Sequence, residues 1–227
     1  MNKIYRLWAL VVTISVLALG AVVANSNSPS SAEGGCAGRA YVTNESSDNV
    51  SVIDTATNAV VGSAIPVGSE PVGIAITPDG TKAYVTNRNA DTVSVINTAT
   101  NAVVGSPITV GDVPFGIAIT PDGTKAYVTN FNADTVSVID TATNAVVGSA
   151  IPVGDAPRDI AITPDGTKAY VTNQDADTVS VIDTATNTVV GSPITVGDVP
   201  FGIAICPAAV VPPTTPTDPA VVLKFTG

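Results

Sequence analysis

The sequence predicts an all-β chain, a β-propeller of four 43-residue blades in which the last blade is completed by strands from both chain ends. Three observations carry this expectation. The string Ala-Tyr-Val-Thr-Asn occurs at 40–44, 83–87, 126–130 and 169–173, a fixed spacing within the roughly 40–50 residue range of four-stranded blades. Units 83–125 and 126–168 differ at only seven positions, so almost everything between the strings recurs in register. Short runs alternate large apolar with small or polar residues and are bounded by Pro-Asp-Gly, Asn-Ala-Asp or Asp-Thr-Ala-Thr-Asn, which reads as strands separated by tight turns.

Each element has a local reason. Lys3 and Arg6 followed by the uncharged run 7–24 read as a secretory signal peptide over 1–24, ending at Val22-Val23-Ala24. An uncleaved run of this length would instead anchor the chain in a membrane. Residues 25–38 form a flexible Ser/Asn-rich segment, and the propeller occupies 39–206. Within a unit, Gly116–Thr120 is an inner strand with one crowded face, and Pro121-Asp122-Gly123 supplies the fixed φ and the positive φ of a hairpin turn. Lys125–Asn130 follows as the second strand, Thr135–Ile139 as the third, and 145–153 as the outer strand after an Asp-Thr-Ala-Thr-Asn turn. Such a sheet cannot bury both faces alone and needs a neighbour on each side. Beyond Cys206 the Pro/Thr-rich stretch 207–227 lacks regular ladder donors and is expected to be an extended tail.

The frame of the repeat is offset from the blade. The propeller region opens on a second strand, 40–44, and finishes on a lone first strand, 201–206, so three full blades lie between two incomplete ends. Two closures fit this frame: a four-bladed monomer whose C-terminal strand completes the first blade, or two chains joined head-to-tail into eight blades. Covalent closure favours the monomer. The only cysteines sit at this join, Cys206 where other units have Thr77 and Cys36 where they have Asp79, and an exported compartment would let them form a disulfide.

Four Tyr-Val-Thr-Asn strings, each followed by Val-Ser-Val-Ile and three of them preceded by Pro-Asp-Gly-Thr-Lys, resemble the YVTN β-propeller repeat family over residues 40–206. The resemblance implies a β-propeller, a secreted or cell-surface location, and a binding or structural role; the partner expected of such a module is an unidentified protein or glycan ligand at the cell surface. It transfers no catalytic residue.

Composition narrows the chemistry. The chain has 19 acidic residues against 9 basic ones, and cleavage before Asn25 takes the formal charge from −10 to −12, which argues against nucleic-acid partners. Histidine is absent, which removes the usual general base and the commonest metal ligand. No catalytic residue is therefore assigned, and the expectation is a non-catalytic exported module, not an enzyme, binding through loops on one face of the disc. The competing expectation is a propeller enzyme, or an accessory domain of one, with a metal at carboxylates around the channel mouth.

Positions that escape the repeat mark where function would sit. They are Glu45, Arg88, Phe131 and Gln174 after the second strand, and Phe115, Arg158, Asp159 and Phe201 at the start of the inner strand. Aromatics beside arginines on rigid loops are interface anchors. Asp159 replaces a glycine found at 73, 116 and 202, and with Asp112, Asp155 and Asp198 it forms a candidate oxygen-ligand set for calcium. No other cofactor is expected.

Overall fold

Alternation of period two writes nineteen short strands into the structure, a computed structural model that describes residues 36–206. The signal segment 1–24, nearly all of 25–38 and the tail 207–227 lie outside the described residues. The first blade holds β1 (Arg39–Asn44), β2 (Asn49–Asp54), β3 (Ala59–Val60) and β4 (Ile65–Pro66). The second holds β5 (Pro71–Ile76), β6 (Lys82–Asn87), β7 (Thr92–Asn97), β8 (Ala102–Val103) and β9 (Ile108–Thr109). The third repeats this as β10 (Pro114–Ile119), β11 (Lys125–Asn130), β12 (Thr135–Asp140), β13 (Ala145–Val146) and β14 (Ile151–Pro152). The fourth has β15 (Pro157–Ile162), β16 (Lys168–Asn173), β17 (Thr178–Asp183), β18 (Thr188–Val189) and β19 (Ile194–Thr195).

All ladders are antiparallel, with β11 against β12 from Lys125↔Asp140 to Asn130↔Thr135 and β10 against β11 through Ile117↔Val128. The architecture is an all-β propeller of four repeated sheets, as the repeat predicts. The outer strand differs in detail. It breaks into two pieces, β13 and β14, which pair with opposite ends of β12. Gly148 between them takes φ +71°, where a side chain is strained.

Apolar side chains from adjacent blades interdigitate, so the core lies between sheets. Tyr41, Val50, Val52 and Ile65 of the first blade meet Ala83, Val85 and Ile96 of the second, all buried. The Tyr-Val-Thr-Asn string is the device that fastens each such seam. Tyr127 is fully buried, and its hydroxyl donates to Asn187 Oδ1 at 2.6 Å and to the Thr184 carbonyl at 3.3 Å, in the turn of the next blade. Lys125 Nζ donates to the same Thr184 carbonyl at 2.8 Å. Thr129 Oγ1 donates to the Arg158 carbonyl on the next inner strand at 2.9 Å, and Asn130 Oδ1 accepts from Gly111 N at 3.1 Å to hold the inter-blade linker. The same latch joins Tyr41 to Asn101 at 2.9 Å and Tyr84 to Asn144 at 2.6 Å.

The expected join of the chain ends differs. Among the described residues β1 pairs with β2 only and 201–206 form no strand, so the four described blades make an open arc in which the first has no inner strand. Cys36 is half-buried against the first-blade cluster and Cys206 is exposed; both are free thiols. The predicted intrachain disulfide is therefore corrected, because the open arc does not bring residue 206 to residue 36.

Candidate functional site

One face of the arc is built from the linkers between blades and the loops after each second strand. Every linker carries a residue at positive φ: Glu70, Val113, Ala156 and Val199, at 52°, 54°, 53° and 53°. A β-branched residue in that region is strained, and the surroundings impose it. The linker N–H is held by an aspartate of the preceding blade, as in Val113 N to Asp91 Oδ1 at 2.9 Å and Val199 N to Asp177 Oδ1 at 2.7 Å. The linker carbonyl receives the variable loop residue, Arg88 N on Glu70 O, Phe131 N on Val113 O and Gln174 N on Ala156 O, each at 2.9 Å. Strain of this kind gathers at functional sites, and here it draws the two variable loops together.

The variable side chains consequently touch. Arg88 makes ion pairs with Glu45 at 2.8 Å and Glu70 at 2.6 Å. Phe115 and Phe131 pack with ring centres 5.3 Å apart. The Arg158 guanidinium lies 3.7 Å from the Phe201 ring centre and 4.6 Å from that of Phe115, within cation–π range. Its Nη1 donates to Gln174 Oε1 at 2.7 Å, while its buried Nε has no partner among the described residues. Burial, and then repulsion from Arg88, push the Arg158 pKa down from its ordinary value. Among the described residues no carboxylate is ion-paired to Arg158, so its charge, unlike that of Arg88, is not neutralised in place.

Beside Arg158 opens a cleft of ≈ 260 Å³ lined by Val72, Gly73, Phe115, Gly116, Arg158, Asp159 and Phe201. Six of the eight loop residues singled out from the sequence, Arg88, Phe115, Phe131, Arg158, Gln174 and Phe201, form one contiguous cluster. Glu45 joins it through Arg88, and Asp159 borders it in the cleft. Val72 lies in a loop that varies between units, and Gly73 and Gly116 are the glycines that Asp159 replaces, but none of the three was assigned to the site. The available signal was the register of the repeat, which aligns Val72 with Phe115, Arg158 and Phe201, and Gly73 and Gly116 with Asp159.

The calcium set does not assemble. Asp112, Asp155 and Asp198 are exposed on the linkers of successive blades, and among the described residues no three carboxylate or thiol groups come together as metal ligands. Asp159 is used otherwise: its Oδ1 accepts from Ile160 N at 2.9 Å and its Oδ2 from Ile203 N at 3.0 Å. In the third blade Gly116 occupies this position because an added Cβ would come within 2.7 Å of the Arg158 carbonyl of the next inner strand.

The family described as lactonase, 7-bladed β-propeller, matches residues 35–147 and 116–192, well over half of the sequence. The chain belongs to that lactonase propeller family. A search of curated proteins gave no match. Among solved structures, Kuenenia stuttgartiensis hydrazine synthase is similar at 33% identity and TM-score 0.65, over 71% of this chain and 47% of that one. A functionally unknown protein from Desulfotomaculum acetoxidans aligns at 20% identity and TM-score 0.64, over 78% of this chain and 59% of that one. A 6-phosphogluconolactonase-type protein of Bacteroides uniformis aligns at 18% identity and TM-score 0.62, over 71% and 52% respectively. The last two likenesses concern the fold. This chain spans about half the length of the structures it matches.

Membership of a lactonase family corrects two expectations drawn from the missing histidine, that the module is non-catalytic and that it is not an enzyme. The inference failed because absence of one residue type removes one general base and leaves carboxylates and arginines able to serve. The comparisons favour an enzyme-related propeller.

Proposed function

We propose that the chain is the propeller of a lactonase-type hydrolase that takes a small anionic cyclic ester at the Arg158 cleft. The observation that carries this reading is Arg158 itself, a cation stacked between Phe115 and Phe201 with no paired carboxylate and an unpartnered buried Nε. Arg158 Nε is one of two buried side-chain polar atoms without a partner among the described residues, the other being Asn173 Oδ1, and it is the one that borders the cleft, which calls for a functional explanation. Arg88, by contrast, is neutralised by Glu45 and Glu70 and serves to frame the patch.

Lactone hydrolysis adds water to the ring carbonyl and releases a hydroxy acid. Arg158 would hold the carbonyl oxygen and the negative charge that grows on it, the role in which a fixed donor contributes most to such a reaction. Asp159 lines the same cleft, and its two backbone hydrogen bonds leave further lone pairs to orient the attacking water and accept its proton. Phe115 and Phe201 would cover the apolar face of a sugar-like ring.

The test is a pH-stat assay of the purified chain with plain, acidic and phosphorylated sugar lactones. Arg158→Ala should lower kcat/KM by roughly 100-fold, as loss of a transition-state donor does, and Asp159→Asn should lower kcat with KM little changed. A folded protein that opens no lactone and binds none of the corresponding acids would overturn the reading. The same proposal has the chain exported by its 1–24 segment and its units built on the YVTN repeat; N-terminal sequencing of secreted protein checks cleavage before Asn25.

A further inference from the structure

The two ends of the arc are complementary halves of the seam that the chain already makes three times between its own blades. On the fourth blade, Ile194 is 47% exposed, whereas its equivalents Ile65, Ile108 and Ile151 are 3%, 7% and 3% exposed beneath the next blade. Val199 and Phe201 are 60% and 61% exposed. On the first blade, Val60 is 65% exposed against 36–39% for Val103, Val146 and Val189, and Val42 is 42% exposed where Val85, Val128 and Val171 are fully buried. An uncovered apolar face at each end of one arc marks an interface.

The polar parts of the seam are also present and unmated. Among the described residues Tyr170 does not make the latch that Tyr41, Tyr84 and Tyr127 make, and the turn that would receive it is already shaped at the other end. Asn58 has φ 54°, matching the acceptor residues Asn101, Asn144 and Asn187 at 51°, 54° and 54°. Residues 196–203 leave the fourth blade as an inner strand does: Val196 N bonds Asp177 O at 3.0 Å, and Thr172 Oγ1 bonds the Phe201 carbonyl at 3.1 Å. Among the described residues the first blade is the one without an inner strand.

We infer that a second copy of this chain docks head-to-tail on the arc, so that residues 200–206 of each copy become the inner strand of the other's first blade and two arcs close into an eight-bladed ring. The register follows from β10 on β11: Ile203 would pair with Val42, Ala204 with Tyr41 and Ile205 with Ala40 of the partner copy. Tyr170 would donate to Asn58 and the Thr55 carbonyl across the seam, as Tyr127 does to Asn187 and Thr184. A head-to-tail contact closes only when its rotation divides the circle, and two equal arcs give a ring with two identical seams.

The cysteines fall at the cut turn. Their equivalents in the third blade, Thr120 and Asp122, are hydrogen-bonded to each other through their side chains. Cys206 of one copy would therefore meet Cys36 of the other. A disulfide forms there when a small-molecule disulfide accepts the two electrons and two protons lost by the thiols and leaves as two thiols. The inference is independent of the lactonase reading.

The experiment mixes two variants. Cys36→Ser and Cys206→Ser are each incubated alone with oxidised glutathione, and then together, and run on non-reducing gels. Each alone should stay single, while the mixture should give a reducible band of doubled mass, since only Cys206 of one copy and Cys36 of the other remain to pair. Light scattering of the oxidised wild-type chain should give twice the chain mass. Under reducing conditions Tyr170→Phe should weaken dimerisation about tenfold, while Tyr84→Phe leaves it unchanged. A mixture that stays single, a wild-type chain that loses both thiols without doubling its mass, or a ladder of ever larger species would each overturn the ring.

Discussion

The tyrosine latch can be tested against a control contained in the same chain. Tyr127→Phe removes one hydroxyl from a fully buried ring and leaves its volume almost unchanged. The lost bonds are one of 2.6 Å to Asn187 Oδ1 and one of 3.3 Å to the Thr184 carbonyl. The second acceptor keeps Lys125 Nζ at 2.8 Å, so the cost falls on the first. One buried hydrogen bond, with part of the desolvation of an acceptor left unpaired, amounts to about 1–2 kcal/mol. For a domain of this size that lowers Tm by roughly 2–8 °C. Tyr84→Phe should cost the same, and the two should add because they act at separate seams. Tyr170→Phe, with no following blade in its own chain, should change the stability of the reduced monomer by less than about 0.5 kcal/mol. Urea unfolding of dilute reduced protein reads all four variants. Equal losses at 127 and 170 would refute the latch, because its cost depends on the next blade being there.

Two further outcomes follow from the same seams. Burial pushes the phenols of Tyr84 and Tyr127 up to about 12; since the folded form favours the neutral ring, its contribution is intact below about pH 10, the ordinary tyrosine value, and is lost as pH rises toward 12. Urea midpoints should fall over that interval, and the double Phe variant should flatten the fall. Gly111→Ala would set a Cβ 2.6 Å from Asn130 Cγ, so it should destabilise by about 1–3 kcal/mol; calorimetry checks it, and an unchanged Tm would show that Asn130 can move aside.

Strand order and turns were legible because Pro-Asp-Gly, Asn-Ala-Asp and alternating valines act within a few residues of one another. What Tyr and Thr of the repeated string do was not legible. Their partners lie in the adjacent blade, 57 to 60 residues on for Tyr127 and 29 for Thr129, and every unit offers the same candidates. The loop cluster was legible by the opposite route: Arg88, Phe115, Arg158 and Phe201 stand out against a constant background. Asp159 misled, because a carboxylate among carboxylates suggests a cation, while its geometry ties down Ile160 and Ile203. The open join was hidden since the repeat frame fits closure within one chain or between two.

Every latch points the same way, from a tyrosine to the turn of the blade that follows it. The arc therefore has a direction, and each internal boundary is interchangeable with any other. Unequal recombination that adds or removes one 43-residue unit would leave both terminal surfaces as they were and create no new kind of contact. Blade number in such a protein is free to change by single genetic events, long before any side chain at a boundary has to adapt.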